Sequence, residues 1–128
     1  MRNKMGAEQI QISVKTVYIP AQSEPEQNRY VFAYTITIRN NGDQAMQLLH
    51  RHWLITDAEG KETEVEGPGV VGQQPDILPG SAFEYTSGTV LDTPLGVMQG
   101  SYTMQSKDNA LHQISIPAFR LALPNILH

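Results

Sequence analysis

The chain has no cysteine, few basic residues and no long apolar run. The absence of cysteine excludes disulfide bonds, thiolate metal sites and a cysteine nucleophile. Nine basic residues stand against 13 acidic ones, and the basic residues form no continuous run. We therefore expect no nucleic-acid partner, because phosphate groups are held by clustered Lys and Arg side chains.

Targeting and membrane signals are also missing. No segment approaches the ~18 consecutive apolar residues of a membrane-spanning helix. The polar N-terminus lacks the apolar core of a signal peptide. Together with the lack of cysteine, these features favour a cytoplasmic protein without membrane insertion.

The composition is that of a folded domain. Hydrophobic residues make up 40% of the 128 residues and charged residues 17%, which is enough apolar material for a packed core. A chain of this length suits one domain rather than two. We predict a single domain over residues 1–128, with a flexible N-terminal segment at residues 1–9.

Alternation of apolar and polar residues dominates the chain, and no segment shows a helical period. The clearest run lies at residues 30–39, where the alternate positions are Tyr30, Phe32, Tyr34, Ile36 and Ile38. This pattern is typical of strands with one buried face. Similar strands, separated by turns, are predicted at residues 10–19, 46–56, 61–66, 81–90, 101–106 and 111–116. About seven such strands predict an all-β fold, an antiparallel β-sandwich.

Residues 67–72 match GxGxxG, the pattern of a dinucleotide-binding turn. Such a turn needs a following helix, whose N-terminus holds the pyrophosphate. Here Pro75 and Pro79 break any helix, and Pro68 removes one amide from the loop itself. We interpret the segment as a turn between strands, with Val70 and Val71 packing on the core. A nucleotide or pyrophosphate site is kept as an alternative, with the candidate residues Gly67, Gly69 and Gly72.

A second group of polar residues lies on two strands that should pair. His50 and His52 are two apart, so their side chains share a face. Glutamates at 62, 64 and 66 share a face of the partner strand. We interpret this as a solvated face of mixed charge. The alternative is a divalent-cation site formed by His50, His52, Glu62 and Glu64. Trp53 should lie on the opposite, buried face with Leu49 and Ile55.

The residues that catalysis would need are not arranged in a known pattern. No Gly-x-Ser-x-Gly nucleophile elbow occurs, and no acid pair is set apart for proton transfer. We therefore expect neither enzymatic activity nor a cofactor.

Several longer segments resemble the ApaG family, which is also called CorD. They are Arg51–Asp57, Val65–Pro75, Leu78–Gly80, Phe83–Gly88, the spaced run Thr93-Pro94-x-Gly96-x-Met98-x-Gly100-x-Tyr102-x-Met104, and Ile116-Pro117-x-Phe119. The resemblance runs from about residue 14 to residue 123, in the family's order. It implies a fibronectin type III-like sandwich, of the immunoglobulin kind. It also implies a bacterial cytosolic protein associated with cobalt resistance and magnesium efflux, and it implies no catalytic residues.

The resemblance also implies a role in protein interaction, because the same domain occurs in eukaryotic F-box proteins. We expect an unidentified protein partner and consider a homodimer through an edge strand possible. Two loops, residues 67–76 and 93–100, are the predicted contact surfaces. Their predicted contact residues are Gly67, Pro68, Gly69, Val70, Val71, Gly72, Pro94, Leu95 and Met98.

Overall fold

Eight strands and two short 3-10 turns make up the fold within residues 9–125. The structure, a computed structural model, describes residues 9–125. The strands are β1 (Ile10–Tyr18), β2 (Tyr30–Asn40), β3 (Met46–Asp57), β4 (Glu62–Pro68), β5 (Asp76–Ile77), β6 (Ala82–Leu91), β7 (Leu95–Ser106) and β8 (Leu111–Ala122). The turns Pro20–Gln22 and Pro25–Gln27 lie between β1 and β2. The predicted flexible segment, residues 1–9, lies outside the described residues apart from Gln9.

The strands form two antiparallel sheets. One has the order β1-β2-β6, and the other has the order β4-β3-β7-β8, with β5 paired to the start of β3. The predicted all-β sandwich is confirmed. None of the described residues belongs to a helix that is long and apolar enough to cross a lipid bilayer.

The inner faces of both sheets supply the core, as the alternating pattern predicts. Ile36 and Ile38 of β2 are fully buried, while Thr37 between them is partly exposed. Trp53 is 2% exposed and meets Tyr34 of the other sheet edge-on, with ring centroids 5.5 Å apart. Edge-to-face contacts of this kind add to the gain from apolar burial. The indole therefore anchors one sheet to the other.

A bulge in β3 corrects one predicted face. The pairing of β3 with β7 shifts between Leu48 and His50, so one extra residue lies in β3. Leu48 is consequently buried and Leu49 is only partly buried, whereas Leu49 was predicted to share the face of Trp53. A bulge reverses the side-chain alternation of a strand, and the sequence carries no clear signal for it.

The predicted loop at residues 93–100 is wrong beyond its first two positions, because β7 begins at Leu95. The glycines there serve close packing instead of a turn. A Cβ on Gly96 would lie 2.7 Å from a methyl carbon of Leu91, and a Cβ on Gly100 would lie 2.0 Å from the carbonyl oxygen of His52. Glycine in a strand often marks such close approach.

The two sheets do not cover each other completely. β1 packs against β8 at one side of the sandwich, and β6 reaches β7 through the hydroxyls of Tyr85 and Tyr102, 2.6 Å apart. The three-stranded sheet ends there, so β4 projects beyond it. Residues 62–66 of β4 are accordingly exposed on both faces. This open side of the sandwich lies next to the glycine-rich segment.

Candidate functional site

The glycine loop, residues 67–75, is a tight hairpin that continues β4. Val70 and Gln73 exchange two backbone hydrogen bonds, both 2.8 Å long. Between them, Val71 and Gly72 have φ angles of 43° and 79°. Two central residues with positive φ define a type I′ turn, which matches the twist of the flanking strands.

Two glycines at the base of the loop are closely surrounded, one by backbone and the other by the end of a flexible side chain. Gly69 has a φ of 62°, and a Cβ there would lie 2.2 Å from the backbone oxygen of Gln73. A Cβ on Gly67 would lie 3.3 Å from Nη1 of Arg51. Packing and backbone conformation therefore explain the glycines of the hexapeptide.

The two valines of the loop differ, and the prediction for one of them is wrong. Val70 is fully buried, as predicted, but Val71 is 50% exposed. Val71 sits at the tip of the turn, where its side chain points away from the core. A β-branched residue is strained at positive φ, and such strain is found mainly at functional positions.

The loop offers few donors to a phosphate group. The amide of Gly69 donates to the carbonyl of Leu49, and those of Val70 and Gln73 are bonded across the turn. Within the hexapeptide 67–72, Pro68 has no amide, which leaves the amides of Val71 and Gly72. Within residues 9–125 the strand β5 follows the loop, and no helix does. The geometry at Gly67, Gly69 and Gly72 is thus that of a hairpin, without the helix N-terminus of a dinucleotide site.

Arg51 joins the glycine loop to the sandwich. Its Nη1 donates to the carbonyl oxygens of Pro68 and Gly69, each at 3.0 Å. The side chain is partly buried and lies on the inner face of β3. No carboxylate among the described residues forms an ion pair with it. The guanidinium therefore retains donor groups that could face a bound molecule.

Three buried tyrosines lie near this guanidinium. Burial raises the pKa of Tyr85 to about 12, although its hydrogen bond with Tyr102 acts against the rise. Burial also raises the pKa of Tyr102 and that of Tyr34. All three hydroxyls stay protonated at neutral pH, so they serve as hydrogen-bonding groups of the core and not as bases.

The histidine–glutamate face forms two separate surface pairs. His52 Nε2 lies 2.5 Å from Oε2 of Glu64, and His50 Nε2 lies 3.2 Å from Oε1 of Glu66. Glu62, the fourth predicted ligand, belongs to neither pair. No group of three or more potential metal ligands occurs among residues 9–125. The structure thus brings His52 and Glu64 together and places His50 with Glu66 instead of Glu62.

The second predicted contact loop is mostly strand. Met98 is 1% exposed in the core, so it cannot meet a partner, and its assignment as a contact residue is wrong. Leu95 is partly buried in β7. The remaining turn is fixed by Thr93, whose hydroxyl donates to the carbonyl of Leu95 at 2.7 Å and accepts from the amide of Ala58 at 3.1 Å. Pro94 lies within this short turn.

The family model and the similar proteins point to the same family. The ApaG domain model matches residues 20–106. Protein ApaG of Pectobacterium carotovorum subsp. carotovorum (strain PC1) is 52% identical over 124 residues, which cover 97% of this chain and 99% of that protein.

Two solved structures share the fold closely. An X-ray structure of a structural genomics target is 54% identical, with a TM-score of 0.91, and the match covers 95% of this chain and 92% of that one. A crystal structure described as an ApaA protein from Bordetella pertussis is 47% identical, with a TM-score of 0.89, over 91% of this chain and 95% of that one. The sequence motifs, the sandwich and these matches agree, and the chain belongs to the ApaG domain family.

Proposed function

We propose that the chain is a non-enzymatic protein-interaction module that contacts its partner through the tip of the glycine loop. The observation that supports this is Val71, an apolar, half-exposed residue with a φ of 43°. Asn or Gly at that position would relieve the strain and reduce apolar exposure. A strained and exposed valine does not stabilise the fold, so a contact with a partner explains it better.

The rest of the loop suits this role because it is held rigidly. The paired hydrogen bonds between Val70 and Gln73 close the turn, and Arg51 fixes its base. The amide of the Gln74 side chain adds a bond of 2.9 Å to the carbonyl of Leu49. A rigid loop loses little conformational entropy when it binds, so more of the contact energy appears as affinity.

In the bacterial cytoplasm, this module would act in cobalt resistance and magnesium efflux by binding another protein. The support for this cellular role is the resemblance of the sequence to the ApaG family. The membership itself leaves the partner unnamed. A deletion strain complemented with the wild-type chain should recover its cobalt tolerance. Complementation with Val71→Asn, the variant expected to lose the partner, should not restore tolerance.

A pull-down from bacterial lysate tests the interaction. The bait is the full chain, and the variant is Val71→Asn, with Val17→Asn as the matched control. Val17 is also exposed, at 55%, but it lies in strand β1 on the far side of the smaller sheet. A stoichiometric partner should be lost with Val71→Asn and kept with Val17→Asn. Absence of any stoichiometric partner, or equal loss with both variants, would reject the proposal.

Binding of a divalent cation to the outer face of β3 and β4 is the second candidate. It is favoured by the two imidazole–carboxylate pairs, which lie side by side on adjacent strands. A titration with Co²⁺ followed by NMR would test it. Saturable broadening at His50 and His52, absent from His112, would support a site, while equal broadening at all three would reject it.

A further inference from the structure

Strand β6 is an open edge of the smaller sheet. Ile19 N–H donates to the carbonyl of Val31, and Asn40 N–H donates to that of Ser81. Since backbone groups alternate in direction along an antiparallel strand, odd residues of β2 bond to β1 and even ones to β6. The backbone groups that point away from the sheet are therefore those of the even-numbered residues of β6, namely Glu84, Thr86, Gly88 and Val90.

This edge is the least protected in the described structure. Natural sheets guard their edges with charges and prolines. The edge strand β4 carries three glutamates and ends at Pro68, β8 contains Pro117, and β1 carries Lys15 and packs against β8. In contrast, β6 has no charge and no proline from Tyr85 to Leu91. Between residues 85 and 91, an added strand would meet no charged side chain and no proline.

A strand added to β6 would also cover an exposed surface. The inner face of β4 projects beyond the smaller sheet, and its Val65 is 39% exposed. A fourth strand in the smaller sheet would lie above that face and bury the valine. Burial of apolar surface and new backbone hydrogen bonds would then act together, as in other strand-addition complexes.

The positive charge of Arg51 favours an acidic residue on the added strand. Val65 on β4 pairs with Trp53 on β3, and Gly67 pairs with Arg51. The pair Gly67–Arg51 is the next one on the same inner face, so Arg51 lies close to Val65 on that face. It bonds to two loop carbonyls but to no carboxylate among the described residues. A carboxylate on an added strand could form a charge-assisted hydrogen bond with it. In an antiparallel strand, the acid would follow the apolar residue by two positions.

A second copy of the chain does not suit this edge. If two β6 strands paired antiparallel about a twofold axis, the two smaller sheets would become continuous, with both larger sheets on the same face. Strand β4 of one copy would then occupy the place of β3 in the other, because it projects one strand beyond β6. A single extended peptide has no second sheet and avoids this clash.

We propose that β6 binds an extended peptide as an antiparallel strand, with an apolar residue over Val65 and an acidic residue two positions later against Arg51. The inference rests on the proposed role as a protein-interaction module, but not on the contact at Val71, and it adds the chemical class of the partner segment. It places the peptide beside the glycine loop, whose carbonyls hold Arg51.

Two synthetic peptides test the proposal on the full chain. Both have a threonine-rich background and one leucine. The first has aspartate two positions after the leucine, and the second has lysine there. NMR titration should show shifts at Thr86, Gly88 and Val90, and at Val65. The aspartate peptide should bind about tenfold more tightly, because an attraction to Arg51 replaces a repulsion. Equal affinities, or shifts confined to β1, would overturn the proposal.

Variants separate the backbone and charge contributions. Val90→Pro removes an outward amide without taking a hydrogen bond from the β2–β6 ladder, and it should abolish peptide binding. Thr16→Pro makes the same change on β1 and should leave binding intact. Arg51→Gln should reduce the tenfold preference to near unity while weak binding persists. Unchanged binding with Val90→Pro, or a dimer that this variant dissociates, would reject the peptide as occupant.

The same variants distinguish this proposal from the one on which it rests. If a lysate partner is lost with Val71→Asn but kept with Val90→Pro, the module binds through its loop and the strand site is rejected. If the peptide binds β6 while no lysate partner depends on Val71, the strand site stands and the loop is rejected as the contact.

Discussion

The guanidinium of Arg51 lies in the space that a side chain at Gly67 would occupy. A Cβ at that glycine would be 3.3 Å from Nη1 and 3.4 Å from Nη2 of the arginine. The first glycine of the hexapeptide therefore makes room for a cation that holds the carbonyls of Pro68 and Gly69. The glycine pattern is typical of a nucleotide-binding turn, but here its first glycine leaves space for the side chain of Arg51.

Gly67→Ala should displace Arg51 and loosen the loop without unfolding the domain. The tight contact is with the end of a flexible side chain, which can move by a few tenths of an ångström, so the cost should be about 1 kcal/mol or less. Amide hydrogen exchange should become faster at Gly69 and Val70 and stay unchanged in β1. An unchanged exchange pattern in the loop would show that Arg51 does not hold it.

Gly69→Ala and Gly72→Ala should differ strongly, although both glycines have positive φ. At Gly69 the added Cβ would meet the backbone oxygen of Gln73 at 2.2 Å, whereas at Gly72 it would meet open space. We expect a loss of about 1 kcal/mol for Gly72→Ala, from the backbone conformation alone, and of roughly 3 kcal/mol for Gly69→Ala. Urea unfolding measures both, and equal losses would contradict the hairpin geometry.

Val71→Asn should stabilise the domain. Asn-Gly is the favoured pair for a type I′ turn, and Asn tolerates a positive φ that strains valine. The gain should be about 1 kcal/mol, which raises the Tm by roughly 4 °C in a domain of this size. Val17→Asn, in strand β1, should give no gain. A variant that gains stability but loses its lysate partner would show that the valine is kept for binding.

The sequence predicts the sandwich well because its signal is local. In β2, the alternate positions Phe32, Ile36 and Ile38 are each buried, as the pattern requires. Trp53 follows the same rule in β3. Turns are also local, so the hairpins that join β3 to β4 and β7 to β8 lie where glycine, asparagine and aspartate predict them.

The errors arise where a residue is chosen for a contact that is distant in sequence. Gly96 and Gly100 predict a turn, but a Cβ at these positions would meet the carbonyl oxygens of Thr56 and His52 on the neighbouring strand β3. Similarly, the proximity of Arg51 to the glycine loop and the exposed edge of β6 follow from how the sheets are stacked. No pattern within one strand reports these relationships. Only the positive φ of Val71 had a local signal, since a glycine follows it in a two-residue turn.

Tyr85→Phe should cost more than the removal of both hydroxyls of the tyrosine pair. The two hydroxyls are 2.6 Å apart, and Tyr102 is fully buried. Tyr85→Phe leaves the other hydroxyl without this partner in the core, for a loss of about 1–3 kcal/mol. The variant with phenylalanine at both positions has no unpaired hydroxyl and should recover most of that loss. A double-mutant cycle in urea measures the coupling, and strictly additive losses would show that the hydrogen bond contributes nothing.

Stability should fall at high pH because of the same tyrosines. In the unfolded chain, tyrosine ionises near pH 10, whereas burial raises the pKa of Tyr85 to about 12 and that of Tyr102 as well. A raised pKa means that the folded state holds its protons longer, so the free energy of unfolding is unaffected below about pH 9 and decreases as pH rises beyond 10. Urea unfolding between about pH 8 and 12 measures this slope. Phenylalanine at both positions should make the slope shallower. A slope that is equally steep in the double variant would assign the alkaline loss to groups outside the tyrosine pair.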